Sequence, residues 1–388
     1  MISLLAAASQ ALALISTLVL LFSAPKELAG TVLVLTMWAN LSGRISFMGT
    51  DQLFMKVLVN NDGLNLLNAV NLFSLVSVVF SYLALFYFKN YLPFEEDVWW
   101  FFTINFLVIV FSRYLEIVAT VDGKLMAFYV FNIVSSFTLI VVYYVSNAVE
   151  LIYWVGFIRL LQLILVLVLL FFSDSRRFYI KFYEYRKALI YLSSNYGFIL
   201  LILISIAGSM ADRIVYSYVS LDARNYADYA LLASFVGLLM QPKIVLSNQY
   251  LKDIKMNGVE SYSELVVKKS IKITALFSVI GIAAYYLIGN FILPNYNVFY
   301  FAYMCAAIFV ILECSQGPAG MLISFLHNPK GNIRPELIGL IYFVSLTLFI
   351  KSLYIKDDYM VTVLIAAFTS SRLLVSILKK IAYGSLKI

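Results

Sequence analysis

The stretch "ALIYLSSNYGFILLILISIAGSMADRIVYSYV", Ala188 to Val219, sets the scale of the fold. Its first 21 residues, Ala188 to Gly208, carry no charge. At about 1.5 Å of rise per residue, a helix of that length crosses a hydrocarbon core of about 30 Å. The acid-base pair Asp212-Arg213 follows within one turn, so the pair is expected near a membrane boundary.

The rest of the chain repeats the pattern. Of its 388 residues 63% are hydrophobic and only 13% charged, against roughly 25% charged in a soluble domain. About twelve apolar stretches of spanning length follow one another, near residues 2–23, 30–50, 68–88, 98–118, 126–146, 149–172, 188–210, 227–247, 273–293, 298–321, 336–355 and 360–378. Membrane β-strands would alternate over about ten residues, whereas these runs are continuously apolar and twice as long. The expectation is an all-α polytopic membrane protein with about twelve transmembrane helices. Met1 to Ser23 lacks a basic n-region and further spans follow it at once, so it is read as a retained first helix.

Orientation follows from basic residues, which accumulate in cytoplasmic loops. With the N-terminus inside, 17 of the lysines and arginines fall in inner segments, while Lys26, Lys89, Arg213, Arg224, Lys351 and Lys356, six in all, fall outside. Both termini are therefore expected in the cytoplasm. The net charge of +7 is explained by this topology and gives no argument for nucleic acid.

The basic aromatic segment "SDSRRFYIKFYEYRK", residues 173–187, divides the chain into an N-terminal lobe of six helices, 1–172, and a C-terminal lobe of six, 188–388. The second and eighth stretches each carry a cation in their later half, Arg44 and Lys243, and 243 − 44 = 199 is close to half of 388. Duplicated halves are a habit of transporters.

Several classes are disfavoured. There is no phosphate-binding Gly-rich loop, no H-E-x-x-H and no Cys/His cluster, and the loops are too short for a sizeable catalytic domain. Cys305 and Cys314 lie nine residues apart in one stretch, too distant along a helix for a disulfide. The single histidine, His327, sits in the polar segment "LHNPKGNIRPE" without ligand-spaced neighbours. No catalytic residue, metal site or cofactor is expected.

Charges at bilayer depth cost at least a few kcal/mol and usually face protein or water. Within the stretches stand Arg44, Arg113, Arg159, Lys243 and Arg372 against Glu116 and Glu313, five cations to two anions. Thr36, Asn40 and Arg44 recur every fourth residue and share one helical face, although Arg44 has the alternative of snorkelling inward. Arg113 and Glu116, at i and i+3, suit either mutual neutralisation or a site. Arg159 lies near the middle of its stretch, with Gln162 one turn on, and demands a partner or a cavity. Pro242, and Gly317-Pro318 just after Glu313, mark places where a helix is interrupted or simply ends. Arg44, Arg159, Lys243, Asn40 and Arg113 are the candidate cargo contacts.

Twelve stretches in two halves, "MADRIV" (Met210–Val215) and "YADYALLASF" (Tyr226–Phe235) together resemble the Wzx-type flippases of the multidrug/oligosaccharidyl-lipid/polysaccharide exporter superfamily. Ala227 stands two residues before Tyr229, where that family often has Gly. The resemblance implies alternating-access transfer of a polyprenyl-pyrophosphate-linked oligosaccharide from the cytoplasmic to the outer leaflet of a bacterial inner membrane. It implies partners as well: the lipid bilayer, an H+ or Na+ gradient, and association with a polysaccharide polymerase and glycosyltransferases. By the same resemblance Asp212 and Arg213 lie at the outer end of the seventh helix, where they suit a gate or an interfacial stop signal. Glu313 and Glu116 are the candidate ion-coupling groups. An excess of cations along the path suits a diphosphate. A multidrug exporter is the alternative, and a membrane-embedded polysaccharide polymerase is disfavoured by the short loops.

Overall fold

The computed structural model describes residues 2–47, 64–87, 98–121, 125–146, 150–172, 186, 190, 193, 196–219, 223–257, 260–316, 329–352 and 357–386. Among these residues the chain forms twelve α-helices and no strand. They are α1 (Ile2–Ser23), α2 (Lys26–Ser46), α3 (Leu64–Tyr87), α4 (Trp99–Val121), α5 (Leu125–Val145), α6 (Leu151–Phe172), α7 (Tyr196–Val219), α8 (Ala223–Asn257), α9 (Glu260–Leu287), α10 (Tyr300–Ser315), α11 (Ile333–Ser352) and α12 (Asp357–Leu386). Six of them, α2, α5, α6, α7, α9 and α12, are long and apolar enough to cross a membrane.

Apolar side chains explain the helices only in part, because small polar residues interrupt most of them. Those residues bond back to their own backbone. Thr31 donates to the Glu27 carbonyl at 3.0 Å, Thr138 to Val134 at 2.8 Å, Thr347 to Phe343 at 2.8 Å and Thr369 to Ile365 at 2.7 Å. Such bonds satisfy hydroxyls where no water is available.

Helix ends were harder to place from sequence. The seventh helix is shifted toward the C-terminus, so its apolar span, Ile199–Ser217, encloses Asp212-Arg213 rather than ending before it. The apolar residues of "IVYSYV" carry the helix on past the charges. Likewise α8 runs unbroken through Pro242. The break that does occur was not anticipated: a π-helical turn over Ile288–Ile292 follows α9. Gly289 belongs there because a Cβ would strike Val298.

The chain divides into two units, residues 1–206 with 220–227, and residues 207–219 with 228–388. In the first, α1 packs on α5, α2 on α4 and α3, and α4 on α6. Leu115, Ala119, Phe128, Phe131 and Val166 form a core cluster across α4, α5 and α6. Gly156 lets α6 lie against Trp100, and Gly43 brings α2 onto Ile109 of α4. In the second, α12 packs on α10 and α11, and α9 on α10. Phe235, Tyr285 and Tyr303 form an aromatic cluster there, with ring centroids 5.0 to 6.5 Å apart.

The outward faces are apolar. Phe80 and Leu83 on α3, Phe137 on α5, Phe157 on α6, Val279 on α9 and Phe349 on α11 are all exposed. Exposed apolar surface on this scale marks contact with something other than water. By contrast, α2 and α12 are the most enclosed of the six spans, with 56% and 50% covered by protein against 11% for the α9 span.

Candidate charged sites in the two units

In the first unit the polar stripe of α2 is turned away from the core. Val34, Leu35, Met37, Trp38 and Leu41 are buried, whereas Asn40 and Arg44 are exposed and Thr36 is half-buried. On α4, Asn105 is buried and spends its amide on the Phe101 carbonyl at 2.8 Å, which leaves it a structural residue. Arg113 and Glu116 pair with one another on the same helix. That pairing accounts for both charges without a ligand, and Ser112 beside them is half-buried.

Arg159 is different. On α6 it donates from Nη1 to the Gln162 amide oxygen at 3.0 Å, and Gln162 donates in turn to the Ser135 carbonyl of α5 at 3.3 Å. Gln162 is buried. The Nε–H of Arg159 is buried and has no hydrogen-bond partner among the described residues, and no described carboxylate pairs with the guanidinium. A cation so placed retains unspent donor capacity and positive charge, both directed at an anion.

In the second unit the deeply buried charge among the described residues has the opposite sign. Asp212, Asp228, Glu313 and Glu336 are each less than 9% exposed, and no lysine or arginine among the described residues is buried to that degree. Asp228 and Glu336, at the starts of the eighth and eleventh stretches, belong with the anions there, and Asp212 stands just past a span end that the fold closes over.

Each acid has its own setting. Asp228 on α8 accepts from the Asn297 backbone N–H at 3.1 Å and from its amide nitrogen at 3.0 Å. This fixes the turn between α9 and α10. Burial there, with the Asp228 charge adding to it, pushes the Tyr296 hydroxyl up. Glu336, in the first turn of α11, meets Lys379 of α12 at 2.5 Å and Arg372 at 3.5 Å. Arg372 is thereby committed to a structural network. Glu313 on α10 accepts from Ser376 of α12 at 3.1 Å. Asp212 accepts a hydrogen bond from the Tyr229 hydroxyl, while its other oxygen, Oδ1, is buried without a partner among the described residues.

Burial of Asp212 excludes the stop signal in which both charges are solvated. An ion pair between segments distant in sequence does exist elsewhere, within the first unit. Arg224 of α8 meets Glu27 of α2 through Nε at 3.3 Å and Nη2 at 3.0 Å, and the adjoining Gly30 is pressed against the Ala223 carbonyl, leaving no room for a Cβ. Neither charge was singled out from sequence, since each sits at a helix start where solvent is the default.

Lys243 lies on α8, but its side chain is outside the described residues, as are the side chain of Thr120, His327, Gly317-Pro318 and nearly all of the basic segment 173–187. Cys305 and Cys314 are not joined to each other. Among the described residues no three His, Cys, Asp or Glu side chains converge as metal ligands would. No family model, no curated protein and no solved structure matches the chain.

Proposed function

We propose that the chain is a flippase of lipid-linked oligosaccharides in a bacterial inner membrane. It carries a polyprenyl-pyrophosphate-linked sugar from the cytoplasmic to the outer leaflet by alternating access, for O-antigen or another surface polysaccharide. The reading rests on the sequence resemblance, on helices long and apolar enough to span, and above all on Arg159. A guanidinium kept in an apolar span without a carboxylate is costly, and an anionic cargo that passes it offsets the cost. Arg44 and Asn40, on the outward face of α2, extend the polar path in the same unit. In this reading the protein is a carrier rather than an enzyme, and all twelve helices span with both termini inside.

In that topology α2 and α8 both begin on the outer side. There the Glu27–Arg224 pair, inside the first unit, is the candidate for an outer gate, a task the sequence had offered to Asp212 and Arg213.

The buried carboxylates of the second unit favour one other reading, a multidrug exporter with a cationic cargo. Asp228 and Glu336 count against it, since both carboxylate oxygens of each are already occupied. Complementation separates the two. In a strain lacking its own flippase, the chain should restore surface polysaccharide and leave efflux of cationic dyes unchanged; dye efflux without glycan would overturn the proposal. Reporter fusions after Lys187 and at Ile388 should both read cytoplasmic.

A further inference from the structure

Three of the four buried carboxylates are held as anions are usually held. Both oxygens of Asp228 receive N–H donors, both oxygens of Glu336 meet cations, and Glu313 has Ser376 together with further partners. Asp212 is the exception. It is 4% exposed in the apolar span of α7 and receives one neutral hydroxyl on Oδ2, with nothing on Oδ1 among the described residues. The backbone N–H groups of Asp212 and Arg213 also lie near the carboxyl, but as interior residues of α7 they are committed to its ladder. An ionised carboxylate with a single hydrogen bond and a dry second oxygen is a poor arrangement, because a buried anion needs nearly all its acceptor sites filled. A carboxylic acid suits it better. In that form Oδ2 carries the proton and donates it to the Tyr229 oxygen, and what remains unpaired is the neutral carbonyl oxygen Oδ1.

Burial favours the neutral acid, and the nearby groups oppose it only from the same helix or through one hydroxyl. The charged or titratable groups that bear on Asp212 are Tyr229 of α8 and, on its own helix, Arg213. Tyr216, one turn on, stacks on Tyr229 with centroids 4.4 Å apart and fixes the phenol in place. Arg213 is half-buried and has other partners. As the next residue it points about 100° away around the helix.

We infer that Asp212 is a proton-binding site, occupied in the conformation described here and emptied when α7 next brings the carboxyl to water. Release breaks the carboxyl O–H bond, leaves the electron pair on the carboxylate and passes the proton to solvent. In a carrier this links a proton to the conformational cycle, a role that rests on the proposed function, whereas the site itself does not. Asp212, rather than Glu313 or Glu116, is then the coupling group.

Infrared difference titration of the full chain in lipid nanodiscs tests the site without any cargo, so its result is independent of whether the protein moves lipid-linked sugars. In sodium-free buffer at neutral pH the wild-type protein should show a protonated-carboxyl C=O stretch. The band should vanish in Asp212→Asn, persist in Glu313→Gln, and move in frequency in Tyr229→Phe. Asp212→Glu should keep a shifted band, which separates loss of the group from loss of the fold. Absence of the band in wild type, its survival in Asp212→Asn, or its disappearance when sodium chloride replaces choline chloride would overturn the proposal. The last result would make the site one for sodium.

Discussion

The two units differ in the sign of the charge they hold away from water. In the first, Arg159 stands without a described carboxylate, and Arg44 is exposed on the outward face of α2. In the second, the most deeply buried charge is anionic: Asp228 is held by two N–H donors of Asn297, and Glu336 is neutralised by Lys379 and Arg372. A charged group whose donor or acceptor sites are filled within the fold is architecture, whereas one with a buried site left unfilled is a candidate for work on something else. By that criterion Arg159 and Asp212 stand apart from the other intramembrane charges.

The sharpest way to break the contrast is at Arg159. Arg159→Ala should abolish or greatly reduce surface glycan in a complementation strain while membrane levels on an immunoblot stay normal. Arg159→Lys should restore it only partly, since an ammonium keeps the charge but loses the planar donor set. If Arg159 were merely structural, protein level and glycan would fall together.

Glu336 should give the largest effect on stability. Glu336→Ala leaves Arg372 and Lys379 facing each other without their anion, at a cost of about 3 kcal/mol, and thermal unfolding in detergent should move to clearly lower temperature. A melting temperature equal to wild type would mean that the cations relax into solvent. Asn297→Ala should be milder. It removes one side-chain donor from Asp228 and leaves the backbone donor, so about 1 to 2 kcal/mol is expected, with increased proteolysis in the turn after α9 as the second readout. Smallest is the exposed Glu27–Arg224 pair. Glu27→Gln should cost less than about 1 kcal/mol, yet raise labelling of an outer-end cysteine by an impermeant thiol reagent if the pair closes that end. Unchanged labelling would remove it from the gate.

Much of this fold is legible in the sequence, because a helix in an apolar solvent must satisfy its own backbone and therefore announces itself as an uninterrupted apolar run. Each of the twelve stretches overlaps one of the twelve described helices, and six of those helices are long and apolar enough to span. Helix ends went astray where a charge was read as a terminus: α7 continues past Asp212-Arg213, and α8 and α9 extend into polar sequence. Local pairs were legible too, since Arg113 with Glu116 and Arg159 with Gln162 are one turn apart. The buried acids were not. Whether a carboxylate near a span end is wet depends on what folds over it, and those partners lie 17 residues away for Asp212, 69 for Asp228 and 43 for Glu336. No periodicity in the chain encodes such distances.

The proposed function is tested most directly by reconstitution. Vesicles holding a polyprenyl-pyrophosphate-linked oligosaccharide in the inner leaflet, with the purified chain in the bilayer, report transfer when the sugar becomes accessible to an impermeant glycosidase. Wild type should expose the sugar well above protein-free vesicles, and the Arg44→Ala, Arg159→Ala double variant should not. Equal exposure by the wild type and the double variant would contradict a cationic path through these residues, and equal exposure by the wild type and empty vesicles would contradict a flippase.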